Sequence, residues 1–421
     1  MNKIQDLHIE KEILPLFNYS LNSFTKRKIL DILNNPLKSK EEIIQRQNIL
    51  KGFSENDNIL DQYSYSPIYL NEVYNFLENE NLDELSESKL KYRLFTSKQK
   101  KNQYLSRITL LILFFHRLES TYFLRLKLKL FPESYVGTLK GIQEFLSYFE
   151  LSKYEYIIRE KRLRNKHLFE LTEKINHLKS NGLLSPFWKE FFLFESFLSI
   201  QKALTKHEFT FPEFVKKGIK LNDFYHPLVH EPVKNNFETQ GNVILLNGPN
   251  MSGKSTFLKA ISLCVYFAHL GLGIPASFGQ VPFIEFFSIE INRRDDVLNG
   301  YSHFMTEVIN LKEVVLKASN GTSSFAVFDE LFSGTNIEDA LEICKTTING
   351  LHQFDQSYFF ISTHIQELRN NTNNQTENFY IDCKLIENKP KFTYELKKGW
   401  SEVKVGRILF EKEGLNRLLK S

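Results

Sequence analysis

Hydrophobic and polar positions change their rhythm near residue 206. Before that point, apolar residues recur every third or fourth position over long stretches, the spacing of one helix face. Residues 153–182 are the clearest case. Tyr154, Ile157, Ile158, Leu168, Leu171, Ile175 and Leu178 fall at helical spacing, and Gly182 supplies a stop. Glycine is scarce in this half, where Gly52, Gly137, Gly141 and Gly182 are the only ones before residue 200. One segment breaks the pattern: TYFLRLKLKLF (121–131) alternates with period two, so a strand there stays open. After residue 206, short apolar runs at 242–247, 324–328 and 358–362 read as buried strands. Residues 254–270, 304–319 and 337–351 read as the helices between them. An Asn-rich loop (370–375) precedes a hairpin over 378–399 that turns at residues 388–390. Strands alternating with helices predict a mostly parallel sheet covered on both faces. The expected architecture is therefore α + α/β, with an all-helical domain over 1–205 and an α/β domain over 206–421. No repeat of 20 to 50 residues is evident.

A chain of 421 residues suits two or three domains. With 42% hydrophobic and 25% charged residues, the chain has an ordinary folded composition. The formal charge of +4 is unevenly spread, since residues 1–200 hold 30 Lys and Arg against 25 Asp and Glu. Eleven basic residues and a single acid, Glu119, fall between residues 88 and 132. Such a stretch is either a footprint for a phosphate backbone or a solvated helix face. Cys264, Cys344 and Cys383 lack metal-ligand spacing and read as small buried hydrophobes in a reducing compartment. His226 and His230 stand four apart, but Pro227 between them argues against a helical zinc pair. The opening residues lack a signal-peptide layout, and the apolar run 108–115 is far shorter than the roughly 20 residues of a membrane span. A soluble, cytoplasmic protein with no membrane partner is expected.

The sharpest chemical signal is GPNMSGKS. It fits the Walker A pattern of Gly, four residues, Gly, Lys and Ser/Thr, between a predicted strand and a predicted helix. Gly248, Pro249, Asn250, Met251, Ser252, Gly253, Lys254, Ser255 and Thr256 are the expected nucleotide-binding residues. Glycines let backbone N–H groups curl around phosphates, and the following helix adds the positive end of its dipole. Lys254 would reach the β- and γ-phosphates, and the Ser255 hydroxyl would ligate Mg²⁺. Asp329 ends a predicted strand 74 positions after Ser255 and is the expected partner for the Mg²⁺ water shell. Glu330 beside it would polarise the attacking water. His364 ends the next strand, where it would contact the γ-phosphate or that water. ATP and Mg²⁺ are the implied ligands, and Glu330, His364 and Lys254 the implied catalytic residues.

Five motifs in order make the C-terminal half similar to the ATPase domain of the MutS family of DNA mismatch-repair proteins, a P-loop domain of the ABC type. GPNMSGKST departs from that family's loop at Ser252, where glycine is typical. RRDDVLNGYSHFMTEV (293–308) resembles its signature segment, with Asp295, Asp296, Gly300, Ser302, Phe304, Met305 and Glu307 in register and His303 in place of threonine. FDELFSGTNIEDA carries the Walker B acids with Gly334 and Thr335. STHIQEL matches the switch-histidine segment. YELKKGWSEVKVGRILFEKEGL (394–415) is similar to the closing element, with Gly399, Gly406 and Gly414. YHPLV (225–229) resembles the opening segment, whose aromatic and His-Pro residues the resemblance puts near the adenine. Residues 24–53, best matched at Pro36-Leu37 and Arg46-Gln47, are similar to the start of the family's helical lever, or core, domain.

The resemblance implies a homodimer with composite sites, in which Ser302 of one copy closes in trans on the γ-phosphate held by the other. It also implies a DNA partner (mismatched, branched or duplex) and downstream repair proteins. Lys98, Lys100 and Lys101 are the candidate DNA contacts. A full mismatch-repair protein carries two further domains ahead of the lever, one with a Phe-x-Glu probe. Here the lever starts near residue 20, so neither is expected, nor is an Smr domain after Leu415. Mismatch repair, binding of junctions or recombination intermediates without mismatch recognition, and a nucleotide-switched scaffold that binds no DNA all remain open. A transporter-type ATPase would need an LSGGQ-like signature ahead of Walker B, which the sequence lacks.

Overall fold

The computed structural model describes residues 2–79, 97–249, 251–291, 303–332, 334–370, 375–386, 389–402, 410 and 418–419. Two compact units make up the chain: Phe17–Ile32 with Gln45–Thr205, and Met1–Leu16 with Leu33–Ile44 and Lys206–Ser421. A single division after residue 205 is therefore incomplete, because two early segments fold with the sheets. Their bonds explain why. The Tyr266 hydroxyl donates to the Leu33 carbonyl at 2.9 Å, and Leu37 N–H donates to the His269 carbonyl at 2.9 Å.

The first unit is helical. Its helices include Pro67–Asn79, Lys98–Thr121, Glu133–Ser147, Leu151–Arg159, Asn165–Ser180 and Leu184–Lys206. Residues 153–182 thus form two helices rather than one. The chain turns between Arg159 and Asn165, where Lys161 is left-handed (φ 55°). No apolar residue with the helical spacing lies between Ile158 and Leu168, so nothing held the two stripes in one register. Asn165–Ser180 then ends before Gly182, whose φ of 64° suits a stop. The alternating segment 121–131 forms two 3₁₀ turns, Phe123–Arg125 and Leu128–Leu130, instead of a strand.

Helix Leu184–Lys206 is buried on nearly every side, its own Phe187, Trp188, Phe191, Phe194 and Phe197 among the covered side chains. Phe187 stacks on Phe145 at 3.7 Å between ring centres. One carboxylate sits within this aromatic core. Glu195 accepts from Asn22 Nδ2 (2.7 Å), Thr25 Oγ1 (2.7 Å) and Tyr63 OH (2.9 Å). Burial pushes its pKa up, and these donors pull it back.

Among the described residues, the second unit holds ten strands: β1 (Glu213–Val215), β2 (Ile219–Phe224), β3 (Asn235–Thr239), β4 (Val243–Asn247), β5 (Phe278–Pro282), β6 (Phe286–Glu290), β7 (Ser324–Phe328), β8 (Tyr358–Ser362), β9 (Glu377–Ile386) and β10 (Lys389–Lys398). They form a four-stranded sheet, β1-β5-β2-β3, and a six-stranded sheet, β10-β9-β4-β8-β7-β6. Every pairing in the larger sheet is parallel except the β9–β10 hairpin. That hairpin pairs from Ile386 and Lys389 onward, so Lys389 and Pro390 belong to the strand; residues 387–388 lie outside the described set. β4, β7 and β8 are buried at every position, as expected for strands covered on both faces. Helices Lys254–His269, His303–Ser319 and Ile337–Leu351 connect them. Cys264, Cys344 and Cys383 are all buried and unpaired. Among the described residues, no helix is long and apolar enough to cross a membrane.

Glu195→Leu would strand the buried Thr25 and Tyr63 hydroxyls and take one acceptor from Asn22, whose amide also reaches Thr25 and Tyr65. It is expected to cost about 3 kcal/mol in urea unfolding; a loss too small to measure would mean that Asn22, Thr25 and Tyr63 find other partners.

Candidate functional site

Parallel strands direct their carboxyl ends to one edge, where loops converge on a shared crevice. Here β4 ends at Asn247, β7 at Phe328 and β8 at Ser362, with β8 lying between the other two. The glycine-rich loop follows β4 and leads into helix Lys254–His269. Gly248 (φ 140°) and Gly253 (φ 100°) take backbone conformations that side chains rarely allow. Met251 is also left-handed (φ 68°) and is 73% exposed. Asn250 lies outside the described residues.

Lys254 is only 5% exposed, and its Nζ donates back to the loop carbonyls of Gly248 (2.9 Å) and Pro249 (3.2 Å). Burial lowers its pKa, with the charge of Asp329 opposing the shift. The ammonium is thus held inside the loop by weak neutral acceptors that phosphate oxygens would outcompete. Ser252 is fully buried, and its Oγ has no hydrogen-bond partner among the described residues. A buried hydroxyl without a partner is costly, and an anionic ligand oxygen in the loop would satisfy it.

Asp329 joins the loop to the sheet. Ser255 Oγ donates to its Oδ2 at 2.5 Å, and Ser362 Oγ donates to its Oδ1. Asp329 N–H donates to the Glu290 carbonyl at 3.0 Å. Ser362 Oγ also accepts from Glu330 N–H at 2.8 Å. Glu330 is left-handed (φ 57°), a strained state for a side-chain residue that persists only where its surroundings fix it. The hydroxyl of Ser255 and the carboxylate of Asp329 are hard oxygen donors in contact, a set that suits Mg²⁺. His364 follows β8 and is exposed. Helix His303–Ser319 meets this corner as well, with Glu307 Oε2 accepting from Phe332 N–H at 3.1 Å and Phe304 packed on Phe332.

Beside the loop opens a cleft of about 370 Å³. Tyr225 and His226, from the YHPLV segment, share its lining with Ser252, Gly253, Thr256 and Tyr394. Tyr394 comes from β10, where the hairpin register slips between Phe392 and Leu396. Asn235 at the start of β3 fixes that slip: its Nδ2 donates to the Tyr394 carbonyl at 3.0 Å, and its Oδ1 accepts from Leu396 N–H at 2.7 Å. The Tyr394 ring lies so close to Gly253 that an added Cβ would stand 3.2 Å from it.

The structure thus gathers Gly248, Pro249, Ser252, Gly253, Lys254, Ser255, Thr256, Asp329 and Glu330 around one loop. Ser302, Asp295, Asp296 and Gly300 of the signature segment lie outside the described residues, as do Gly406 and Gly414. Lys98 and Lys100 are exposed and Lys101 half-buried in the first turn of helix Lys98–Thr121, in the helical unit. The rest of the basic stretch is mixed. Arg107 sits over the Phe76 ring, Arg117 donates to Ser64, and Arg125 donates to the Ser120 carbonyl. Lys89, Lys91 and Arg93 are outside the described residues. Sequence reasoning missed Ser362, although it stands two positions before His364 in a quoted motif. It also missed Asn235 and Tyr394, for which only a strand bulge supplies the cue.

Residues 244–415 match the family model of MutS domain V. The C-terminal half is thus similar to the MutS family's domain V. The DNA mismatch repair protein MutS of Bacillus subtilis is 29% identical over 208 residues, covering 47% of this chain and 24% of that protein. Its counterpart in Macrococcus caseolyticus is 30% identical over 179 residues, 40% of this chain and 21% of that protein. The human MutS protein homolog 4 is 29% identical over 227 residues, 50% of this chain and 24% of that protein. The chain therefore spans about a quarter of the length of the relatives it matches.

Proposed function

We propose that this chain is an ATPase of the MutS kind that hydrolyses ATP at sites completed by a second copy and uses the nucleotide state to switch its hold on DNA. The observation that carries this reading is the clasp of Ser255 and Asp329 directly beside the buried Lys254. In this account Lys254 exchanges the Gly248 and Pro249 carbonyls for β- and γ-phosphate oxygens. The N–H groups of the loop and the start of helix Lys254–His269 face the same phosphates. Ser255 and Asp329 hold Mg²⁺, which when bound offsets negative charge on the transferred phosphoryl group. Glu330 orients and polarises the attacking water, and His364 contacts that water or the γ-phosphate. Tyr394 and Tyr225 hold the base in the cleft beside Gly253. Ser302 of the second copy completes the site, so turnover waits on closure of the dimer.

An anionic partner for the helical unit is supported by the first turn of helix Lys98–Thr121. Cations there oppose the positive end of the helix dipole, an arrangement that disfavours the isolated helix. A polyanion such as DNA would offset it. Mismatch repair is the role named for the bacterial relatives; it comes to this chain, with downstream repair proteins and a cytoplasmic setting, as part of the proposal.

Glu330→Gln is expected to bind ATP with unchanged affinity and to hydrolyse it at least about a hundredfold more slowly. Lys254→Ala should instead weaken binding itself. Turnover by Glu330→Gln at the wild-type rate would remove Glu330 from its role. The DNA reading is tested with perfect duplex, mismatched duplex, four-way junction and single strand at two salt concentrations. Binding should fall steeply with salt, and charge reversal at Lys98, Lys100 and Lys101 should flatten that slope. Preference for a mismatch or for a junction separates the two DNA roles, whereas absence of binding to any of the four would favour a protein-binding switch.

A further inference from the structure

The leading segment of the chain belongs to the catalytic sheet. Lys3 pairs with Ser288 as a parallel bridge on the free side of β6. Its N–H donates to the Phe287 carbonyl at 2.8 Å, and its carbonyl accepts from Ile289 N–H at 2.8 Å. On either side, Asn2 Oδ1 accepts from Phe287 N–H (3.0 Å) and Asp6 Oδ2 accepts from Ile291 N–H (2.8 Å). The segment thus covers what would otherwise be an open sheet edge.

Its side chains extend the connection inward. Lys3 Nζ donates to Asn310 Oδ1 at 2.8 Å and pairs with Glu313 Oε2 at 2.6 Å, both on helix His303–Ser319. The Asn310 amide then donates to Glu290 Oε2 at 2.7 Å, and Ser288 Oγ donates to Glu290 Oε1 at 2.9 Å. Glu290 in turn offers its backbone carbonyl to Asp329 N–H. Three hydrogen bonds in series therefore run from Lys3 to the residue that contacts Ser255.

We propose that Lys3 and Asn310 are positioning residues for Asp329 and Glu330. The proposal rests on the ATPase reading above. Glu330 is held left-handed by its two flanks: Asp329 N–H on Glu290 and its own N–H on Ser362. A strained residue keeps its place only while such anchors stay fixed. Loosening the Glu290 side lets the acid pair drift from the reacting atoms, while the nucleotide cradle of Gly248–Gly253 and Lys254 keeps its own contacts. The consequence is a loss in the chemical step without a loss in nucleotide affinity.

The experiment compares the unmodified 421-residue chain with Lys3→Glu, Asn310→Ala and the swapped pair Lys3→Glu with Glu313→Lys. ATP turnover, affinity for a fluorescent ATP analogue and the thermal midpoint are measured for each. Lys3→Glu and Asn310→Ala are expected to lower kcat about tenfold, with nucleotide affinity changed by less than about twofold. The swap, which rebuilds the ion pair with its charges exchanged, should recover part of the Lys3→Glu loss. Unchanged kcat in folded variants would overturn the proposal. So would a drop in kcat that is matched by losses of affinity and melting temperature and ignored by the swap. Absence of turnover in the wild type itself would overturn the ATPase reading and this one together; the other two results leave that reading standing.

Discussion

The site depends on the carboxylate of Asp329. Two hydroxyls from separate strand ends, Ser255 after β4 and Ser362 at the end of β8, converge on its two oxygens. A carboxylate can accept several bonds at once, so one side chain fixes the glycine-rich loop, the end of β7 and the end of β8 relative to each other. The same Ser362 oxygen accepts the Glu330 N–H and so holds a strained acid in place. Without this clasp the glycine-rich loop would have no fixed relation to Asp329 and Glu330.

Around the clasp stand polar groups that a bound anion would satisfy. The Lys254 ammonium is buried against neutral carbonyls, and the Ser252 hydroxyl has no partner among the described residues. Under the proposed function both costs are borne by the ligand-free protein and recovered on nucleotide binding, which is how a preorganised site gains affinity. Asn235 does comparable service on the aromatic side, because its two bonds to a slipped hairpin fix Tyr394 over Gly253.

Much of this was legible in the sequence where chemistry and periodicity coincide. The buried strands over 242–247, 324–328 and 358–362 are continuous apolar runs bounded by turn residues, and each folds as a strand within a residue of its expected limits. The Walker A loop needs specific residues at fixed spacing, so it announces itself. Where signals were lost, the cause was tertiary. Leu168 resumes the stripe of Ile158 in a new helix because a turn at Lys161 resets the register. Residues 121–131 alternate like a strand, yet they form 3₁₀ turns, with Phe123, Leu126 and Phe131 buried while Leu124 stays exposed. The leading segment carries no motif, and its pairing with β6 depends on residues nearly 290 positions away. Tyr394 owes its place to a hairpin slip that a sequence pattern does not record.

The central claim is that one chain holds the nucleotide but needs a second copy to turn it over. ATPase activity per molecule, measured across protein concentrations that span dimer formation, tests it most directly. The account predicts that specific activity rises with concentration to a plateau, while nucleotide binding per chain stays constant. Specific activity that is flat across the whole range, in a protein shown to be monomeric at the lower end, would contradict it.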